Sequence, residues 1–397
     1  MATVNLTTVA GRDKLPPRRE PYYVTLMQSC ALGFRKMSSD RAGAWVARYT
    51  NRETRKSHKR ALGVFDHLVP SDRFGAAKAA ADAWFKHLGA GGGAQIVTVK
   101  MACENYVKHV RDRKSKAKGD EIEARFQRWV YADKTLARIE LTKLTRTTLE
   151  AWRKRLAETP VTVNPHSADK VTRPRALSTL NRDMTALRAA LNFALDYGHV
   201  TNDLAWRVAL RPARGEGANG RRTLYLDRDQ RRELLRHTSE ELVGFLTGMT
   251  LLPLRPGALA ALTVSHFNKR LGVLTVGKDK AGNDRSLPLP KHLVAFFTEA
   301  SRDKLPNAPL LSRANGKHWA KDNWKKSIKE ATVAAKLPEE TTAYTLRHSV
   351  ITDLVTREGL DLLTVAQLSG TSVAMIEKHY GHLQADRAVA ALAGLVL

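Results

Sequence analysis

The C-terminal part of the chain contains residue types that could together break a phosphodiester bond without a metal ion. Such a reaction needs a nucleophile, stabilisation of charge on the non-bridging oxygens, a proton for the leaving oxygen and in-line positioning. Arginines suit the second task because their forked donors match phosphate oxygens. A tyrosine nucleophile would keep the bond energy in a covalent intermediate, so that rejoining needs no ATP. The residues in question are Arg255, Lys278, Lys280, Arg347, His348 and Tyr380.

Each of these residues, taken alone, also has a purely structural interpretation. Arg347 could pair with Asp353 or Glu358. A lysine such as Lys280 usually lies in a solvated turn, and a tyrosine such as Tyr380 usually packs against its own domain. It is the order and the spacing of the set that favour chemistry.

Other reaction classes lack a matching local pattern. The sequence has no G-x-x-x-x-G-K-[ST] loop for a nucleoside triphosphate and no H-E-x-x-H or Cys/His cluster for a metal. Cys30 and Cys103 show no paired spacing, which predicts reduced thiols in a cytoplasmic protein. We therefore expect no cofactor and no metal, although the scattered acids of a metal-dependent transposase would leave no local pattern.

The charge of the chain predicts a polyanionic partner. Its 66 Lys and Arg residues against 39 Asp and Glu give a formal net charge of +27 and a sequence pI near 10.3. A folded protein of this charge repels itself unless a polyanion neutralises it, and nucleic acid is the best match. A merely solvated basic surface is the first alternative. A membrane partner is weaker, because we find no signal sequence and no run of about 18 apolar residues.

Two irregular stretches, 89–93 and 211–222, divide the chain into three segments. The first segment, 1–88, has strand-like runs at 31–36, 44–50 and 59–65 and a helical pattern at 76–88. The basic turn 51–60 between the last two strands could contact DNA or remain a solvated hairpin. Its candidate DNA contacts are Arg55, Lys56, Lys59 and Arg60.

The second segment, 95–207, has the pattern of a four- or five-helix domain. Thr98 is a predicted N-cap, and Thr147 with Glu150 forms a capping-box pattern. Ser178 precedes a long apolar stripe that should end at Gly198. Basic residues that lie off these stripes could face DNA, among them Arg153 and Arg182.

The third segment, 221–397, alternates helices with a short β region. Two helices are predicted over 228–252, and two strands, GVLTV and RSLPL, are joined by a polar turn that carries both lysines. A helix over 345–359 carries Arg347, and two further helices lead to Tyr380.

In this order the motifs of the third segment resemble those of the tyrosine recombinases, in particular the integrases of phages and integrative elements. That family has an arginine in a T-G-x-R-x-G-E-like box, a lysine on a β-hairpin, an H-x-x-R-H box and an L-G-H sequence before the tyrosine. Here TGMTLLPLRPGALAAL, the predicted hairpin, YTLRH and SGTS occupy these places. The resemblance implies a site-specific recombinase that cuts and rejoins DNA through a 3′-phosphotyrosine. The implied catalytic residues are Arg255, Lys280, Tyr344, Arg347, Thr371 and Tyr380.

Three positions depart from the family pattern. Ala258 replaces the acid of the first box, Tyr344 replaces the first histidine of the second, and Thr371 replaces the histidine of the third. The last two resemble a recurring GT-type subgroup of integrases. Tyr344 and Thr371 could still donate hydrogen bonds to a phosphate, so the departures bear on efficiency more than on reaction class.

The resemblance extends to fold class and partners. It implies a multidomain chain with an N-terminal β-plus-helix module (1–88) of the arm-type kind, an all-α core-binding domain (95–207) and a mixed α/β catalytic domain (221–397). The implied partner is double-stranded DNA carrying attachment sites, held in a C-shaped clamp by a homotetramer. An excisionase or a host DNA-bending protein would be accessory. The alternatives are a catalytically weak DNA-binding protein on the same fold and a type IB topoisomerase-like enzyme.

The choice between the two hairpin lysines generates a prediction. Lys280 fits the family's spacing to Pro288 better than Lys278 does. If Lys280 protonates the leaving 5′-oxygen, Lys280→Ala should cleave ordinary DNA poorly and recover on a substrate with a bridging 5′-sulfur, because a thiolate needs little protonation. The substrate is a nicked duplex that the full chain selects from a random-sequence pool, called here the selected duplex. Recovery in Lys278→Ala, with Lys280→Ala behaving like wild type, would show the alignment wrong by two residues.

Overall fold

The chain folds into two compact units, Met1–Gly220 and Arg221–Leu397, in a computed structural model that describes most of its residues. The described residues are 4–38, 42–163, 170–215, 223–277, 284–384, 389, 392 and 393. Lys278 and Lys280 therefore lie outside the described residues, as does most of the polar turn that carries them.

The first unit begins with a four-stranded antiparallel meander in the order β1-β2-β3-β4. Its strands are β1 (Tyr22–Met27), β2 (Cys30–Arg35), β3 (Ala44–Thr50) and β4 (Ser57–Gly63). The sequence pattern missed β1. It placed the last strand at 59–65, after a basic turn 51–60, whereas β4 begins and ends two residues earlier, at Ser57 and Gly63.

One face of this sheet is covered by helices α1 (Val9–Asp13) and α2 (Arg73–Gly89). Leu32, Trp45 and Ala47 on that face form a buried core with Ala81 and Trp84 of α2. The small side chains of the Ala-rich helix allow it to lie close to the bulky Trp45, which explains why so short a module can bury an indole.

The rest of the first unit is helical, as predicted, apart from a two-residue ribbon, β5 (Val161–Thr162) with β6 (Thr172–Arg173). Leu149, Trp152, Leu187 and Leu191 belong to its single large apolar cluster. The helices are α3 (Val99–Arg113), α4 (Lys116–Phe126) with a π-helical turn to Tyr131, α5 (Lys134–Ala137), α6 (Arg146–Glu158) and α7 (Leu177–Asp196).

Helix starts were predicted with mixed success. Thr98 is the N-cap of α3 and accepts from the backbone N–H of Met101 at 3.3 Å, as expected. For α6 the predicted cap was wrong, since Thr145 caps it by accepting from the N–H of Thr148, and Thr147 lies inside the helix. Helix α7 begins at Leu177, so Ser178, which was expected to precede the helix, lies inside it.

The second unit packs helices around a three-stranded antiparallel sheet, β7 (Phe267–Asn268), β8 (Val273–Val276) and β9 (Arg285–Pro288). The pair β8–β9 is the predicted hairpin. The helices are α8 (Arg228–Arg236), α9 (Glu240–Leu251), α10 (Pro256–Ala260), α11 (Lys291–Ala300), α12 (Lys321–Ala334), α13 (Ala343–Thr356), α14 (Leu362–Ser369) and α15 (Val373–Tyr380).

Helix α13 is anchored by a buried ion pair. Asp353 pairs with Arg231 of α8, with their side chains 8% and 7% exposed, and its second oxygen accepts from the hydroxyl of Tyr225 at 2.8 Å. Removing one partner of such a pair costs about 3–5 kcal/mol, because the other charge is left buried and unpaired. Asp353 is ion-paired with Arg231, so the alternative ion pair between Asp353 and Arg347 is not formed.

Candidate active site

Arg347 lies in the first half of α13, where the helix meets the loop before α10. Thr342 caps the helix and accepts from the N–H of Thr345 at 3.3 Å, so α13 begins two residues earlier than predicted. The Arg347 side chain is buried, and its Nη1 donates to the carbonyl of Pro253. A backbone carbonyl satisfies the donor but leaves the guanidinium charge uncancelled.

Arg255 approaches Arg347 from the start of α10. Pro256 occupies the first position of that helix, which suits its fixed φ, and Arg255 is the extended residue just before it. The Arg255 Nη1 donates to the carbonyl of Gly370 at 2.6 Å. This second guanidinium is therefore also held by a backbone carbonyl, at the end of α14.

The two arginines form a site of concentrated positive charge. Burial, followed by the neighbouring charge of Arg255, lowers the pKa of the Arg347 guanidinium to about 10. Arg347 is still protonated near neutrality, and an anion placed between the two groups would relieve their repulsion. Among the described residues, neither arginine is ion-paired with a carboxylate. The site is thus suited to the non-bridging oxygens of a phosphodiester.

Tyr380 ends α15 beside this charge. Its ring packs in a small apolar cluster with Ile351, Val355 and Ile376, and the residue is 9% exposed. Its hydroxyl lies 2.9 Å from Nδ1 of His348, and the two rings are 5.2 Å apart at 34°. With Nδ1 unprotonated, the phenol donates this hydrogen bond, so the imidazole is placed to accept its proton.

The three departures from the family pattern lie in different surroundings. Tyr344 is one helical turn before His348 and about half exposed, and it lies close enough to Arg347 to act on its charge if ionised. Thr371 follows Gly370, and its N–H donates to the carbonyl of Ala366 at 3.1 Å. Ala258 packs against the apolar core of the unit, which is consistent with an alanine where the family has an acid.

The structure brings Arg255, Tyr344, Arg347 and Tyr380 together, and it adds two residues to which sequence reasoning gave no catalytic role. His348 was among the candidate residues, but it was not included in the implied catalytic set although it is the last residue of the H-x-x-R-H-like box. Arg285 begins β9 and also acts electrostatically on Arg347, but its sequence context, a strand after a polar turn, gave no signal.

The candidate DNA contacts of the first unit have different environments. Arg55, at a positive φ of 57°, and Lys56 are exposed between β3 and β4, and Lys59 is exposed on β4. Arg60 is instead ion-paired with Glu140, its side chain 12% exposed. In the helical part, Arg153 donates to the carbonyl of Ala209 at 3.1 Å and Arg182 is exposed on α7.

Across the described residues, no three or more His, Cys, Asp or Glu side chains cluster in a way that could hold a metal ion. None of the helices in the same part of the chain combines the length and the apolar character that a membrane span requires.

Residues 225–387 match the model of the phage integrase family. The tyrosine recombinase XerA of Pyrococcus furiosus is 31% identical over 122 residues. That similarity covers 30% of this chain and 41% of XerA, so it spans less than half of the relative's length.

Solved structures of two integrases share the fold. The Tn1549 transposon integrase in complex with transposon right end DNA has a TM-score of 0.59 at 17% identity, over 75% of this chain and 99% of that one. A lambda integrase dimer bound to a COC′ core site has a TM-score of 0.54 at 15% identity, over 92% of this chain and 96% of that one. The predicted fold class, an N-terminal β-plus-helix module, an all-α domain and a mixed α/β domain, is confirmed.

The contact between His348 and Tyr380 predicts a proton acceptor. His348→Ala should lower DNA cleavage by about 10²–10⁴-fold, because the phenol loses its base. His348→Gln, which can accept a hydrogen bond but takes no proton, should fail as well. Single-turnover cleavage of the selected duplex measures both variants against wild type. Wild-type rates in His348→Gln would show that the histidine only orients the tyrosine.

Proposed function

We propose, from the premise that residues 225–387 form a domain of the phage integrase family, that this chain is a site-specific DNA recombinase that cuts and rejoins DNA through Tyr380. One observation carries the proposal. The hydroxyl of Tyr380 lies 2.9 Å from Nδ1 of His348, beside two guanidiniums that backbone carbonyls hold without cancelling their charge.

The proposed reaction balances without an outside reagent. The Tyr380 hydroxyl gives its proton to His348 while its oxygen attacks phosphorus, and Arg255 and Arg347 stabilise the charge on the non-bridging oxygens. The 5′-oxygen leaves with a proton, which the resemblance assigns to Lys280. The products are a 3′-phosphotyrosine and a free 5′-hydroxyl. In rejoining, a 5′-hydroxyl returns its proton to Lys280 as it attacks the same phosphorus, and Tyr380 leaves and recovers its proton from His348.

The alternatives are less well supported. A DNA-binding protein without activity would have no use for a tyrosine hydroxyl hydrogen-bonded to an imidazole beside two uncancelled arginines. A type IB topoisomerase-like enzyme would use a similar site, so it must be distinguished by behaviour. Relaxation of supercoiled DNA by a monomer without site preference would favour the topoisomerase.

Partners and domains are part of the proposal. The similar integrase structures are bound to DNA, and one is a lambda integrase tetramer bound to a Holliday junction. We extend double-stranded DNA and a homotetramer on DNA to this chain, with an excisionase or a host DNA-bending protein as accessory factors. Two separate apolar clusters in the first unit support the division into an N-terminal module (1–88) and a core-binding domain (95–207).

The register of the N-terminal sheet distinguishes its basic residues. Paired residues of neighbouring strands share a face, and Arg60 pairs with the fully buried Ala47, so Arg60 lies on the core face. Lys59 pairs with Arg48 on the opposite face, where Arg48 stacks over Tyr23 at 3.9 Å. That opposite face is the one we assign to DNA.

The nucleophile can be identified by trapping. Wild-type chain incubated with the selected duplex should form a covalent adduct, and peptide mapping should find the phosphate on Tyr380. Tyr380→Phe removes only the nucleophilic oxygen, so the adduct should disappear while DNA affinity stays unchanged. An adduct on Tyr344, or on any residue other than Tyr380, would overturn the assignment.

The sheet face can be tested with two neighbouring residues. Lys59→Ala should weaken binding of the selected duplex and reduce the slope of log affinity against log salt by about 1, because one phosphate contact is lost. Arg60→Ala should leave that slope unchanged and lower the melting temperature, because it breaks the ion pair with Glu140. Fluorescence anisotropy at several salt concentrations measures both slopes. The reverse pattern would move the DNA surface to the other face of the sheet.

A further inference from the structure

The last turn of α14 is held by two arginines from different parts of the second unit. Nη1 of Arg285 donates to the carbonyls of Gln367 at 3.2 Å and Leu368 at 3.1 Å. Nη1 of Arg255 donates to the carbonyl of Gly370 at 2.6 Å. The final carbonyls of a helix lack partners within the helix and carry partial negative charge, so both contacts are electrostatically favourable.

Gly370 makes this double contact sterically possible. It ends α14 in the left-handed conformation, with φ of 63°, which favours glycine. A Cβ at this position would lie 2.1 Å from Nη1 of Arg285 and 2.4 Å from its Cζ. Any side chain would therefore push the Arg285 guanidinium away from the turn, in addition to straining the backbone.

The C-terminal turn of α14 connects Arg255 with Arg285, because both side chains donate to its carbonyls. Gln367, Leu368 and Gly370 lie within four consecutive residues, so a shift of the carbonyls that Arg285 holds would displace the carbonyl that Arg255 uses. Arg255 is the extended residue before a five-residue helix, so the carbonyl of Gly370 holds its guanidinium from outside its own helix. Displacing a catalytic group by about 1 Å can cost about 10²-fold in rate.

We propose that Arg285 is a positioning residue for catalysis, which fixes Arg255 by holding the C-terminal turn of α14. The inference rests on the proposed function, since it assigns Arg255 to the phosphate. It differs from a direct role for Arg285 at the phosphate, because the two donor contacts of its Nη1 go to backbone carbonyls. It also differs from protonation of the leaving 5′-oxygen, the role that the proposed function gives to Lys280.

A double-mutant cycle on single-turnover cleavage tests this coupling. Arg285→Ala should reduce cleavage of the selected duplex by about 10²-fold with DNA affinity unchanged. In an Arg255→Ala background the same substitution should cost at most a few-fold, because the group that it positions is gone. Gly370→Ala, whose Cβ would displace Arg285, should reproduce the Arg285→Ala defect and add little to it.

Controls separate the proposed role from other effects. Arg302→Ala removes an exposed arginine just after α11 whose ion-pair partner among the described residues is Glu299, and it should cleave like wild type. Melting curves show whether each variant is folded, and Arg285→Lys, which keeps one charged donor, should recover part of the rate. The bridging 5′-sulfur substrate should not rescue Arg285→Ala, since the defect is not in leaving-group protonation.

Three results would overturn the inference while leaving the proposed function intact. They are wild-type cleavage by Arg285→Ala, an equal loss in the presence and absence of Arg255, and rescue of Arg285→Ala by the 5′-sulfur. If the wild-type chain itself forms no adduct on Tyr380, the proposed function fails and takes this inference with it.

Discussion

The second unit is organised around the need to hold two like charges close together without neutralising them. A carboxylate beside Arg347 would stabilise the folded chain, but it would also compete with a phosphate for the same donors. Backbone carbonyls avoid this conflict, and both guanidiniums are held by them, at Pro253 and at Gly370. The carboxylate on the same helix, Asp353, is occupied by Arg231 and Tyr225.

Much of this arrangement could be predicted from the sequence, because it depends on local signals. The apolar periodicity of α7 and the strand-like runs of β8 and β9 each reflect chemistry within a few residues. The order of the boxes then identified Arg255, Arg347 and Tyr380. Long, strongly patterned elements were predicted correctly, and errors fell at their ends, where Thr145 rather than Thr147 caps α6.

What could not be predicted depends on contacts between residues distant along the chain. Arg347 had two plausible acids nearby in the sequence, Asp353 and Glu358, and only the packing of α8 against α13 shows that they pair with Arg231 and Arg228. His348 meets Tyr380 through the packing of α13 and α15. Strand register decides which face of the sheet Lys59 occupies and which face Arg60 occupies. A one-residue shift in register would exchange the two faces.

The position of Tyr380 at the end of a short helix, with its ring enclosed by Ile351, Val355 and Ile376, has a mechanical consequence. In the proposed covalent stage, tension along the attached strand would pass into the protein through a single phosphate ester bond to the phenolic oxygen. A tyrosine on a loose segment would transmit that tension by swinging about many backbone bonds. Here the ring has two torsions of its own and is clamped by branched side chains, so the joint is stiff. The free strand end, rather than the protein, is then the part that moves.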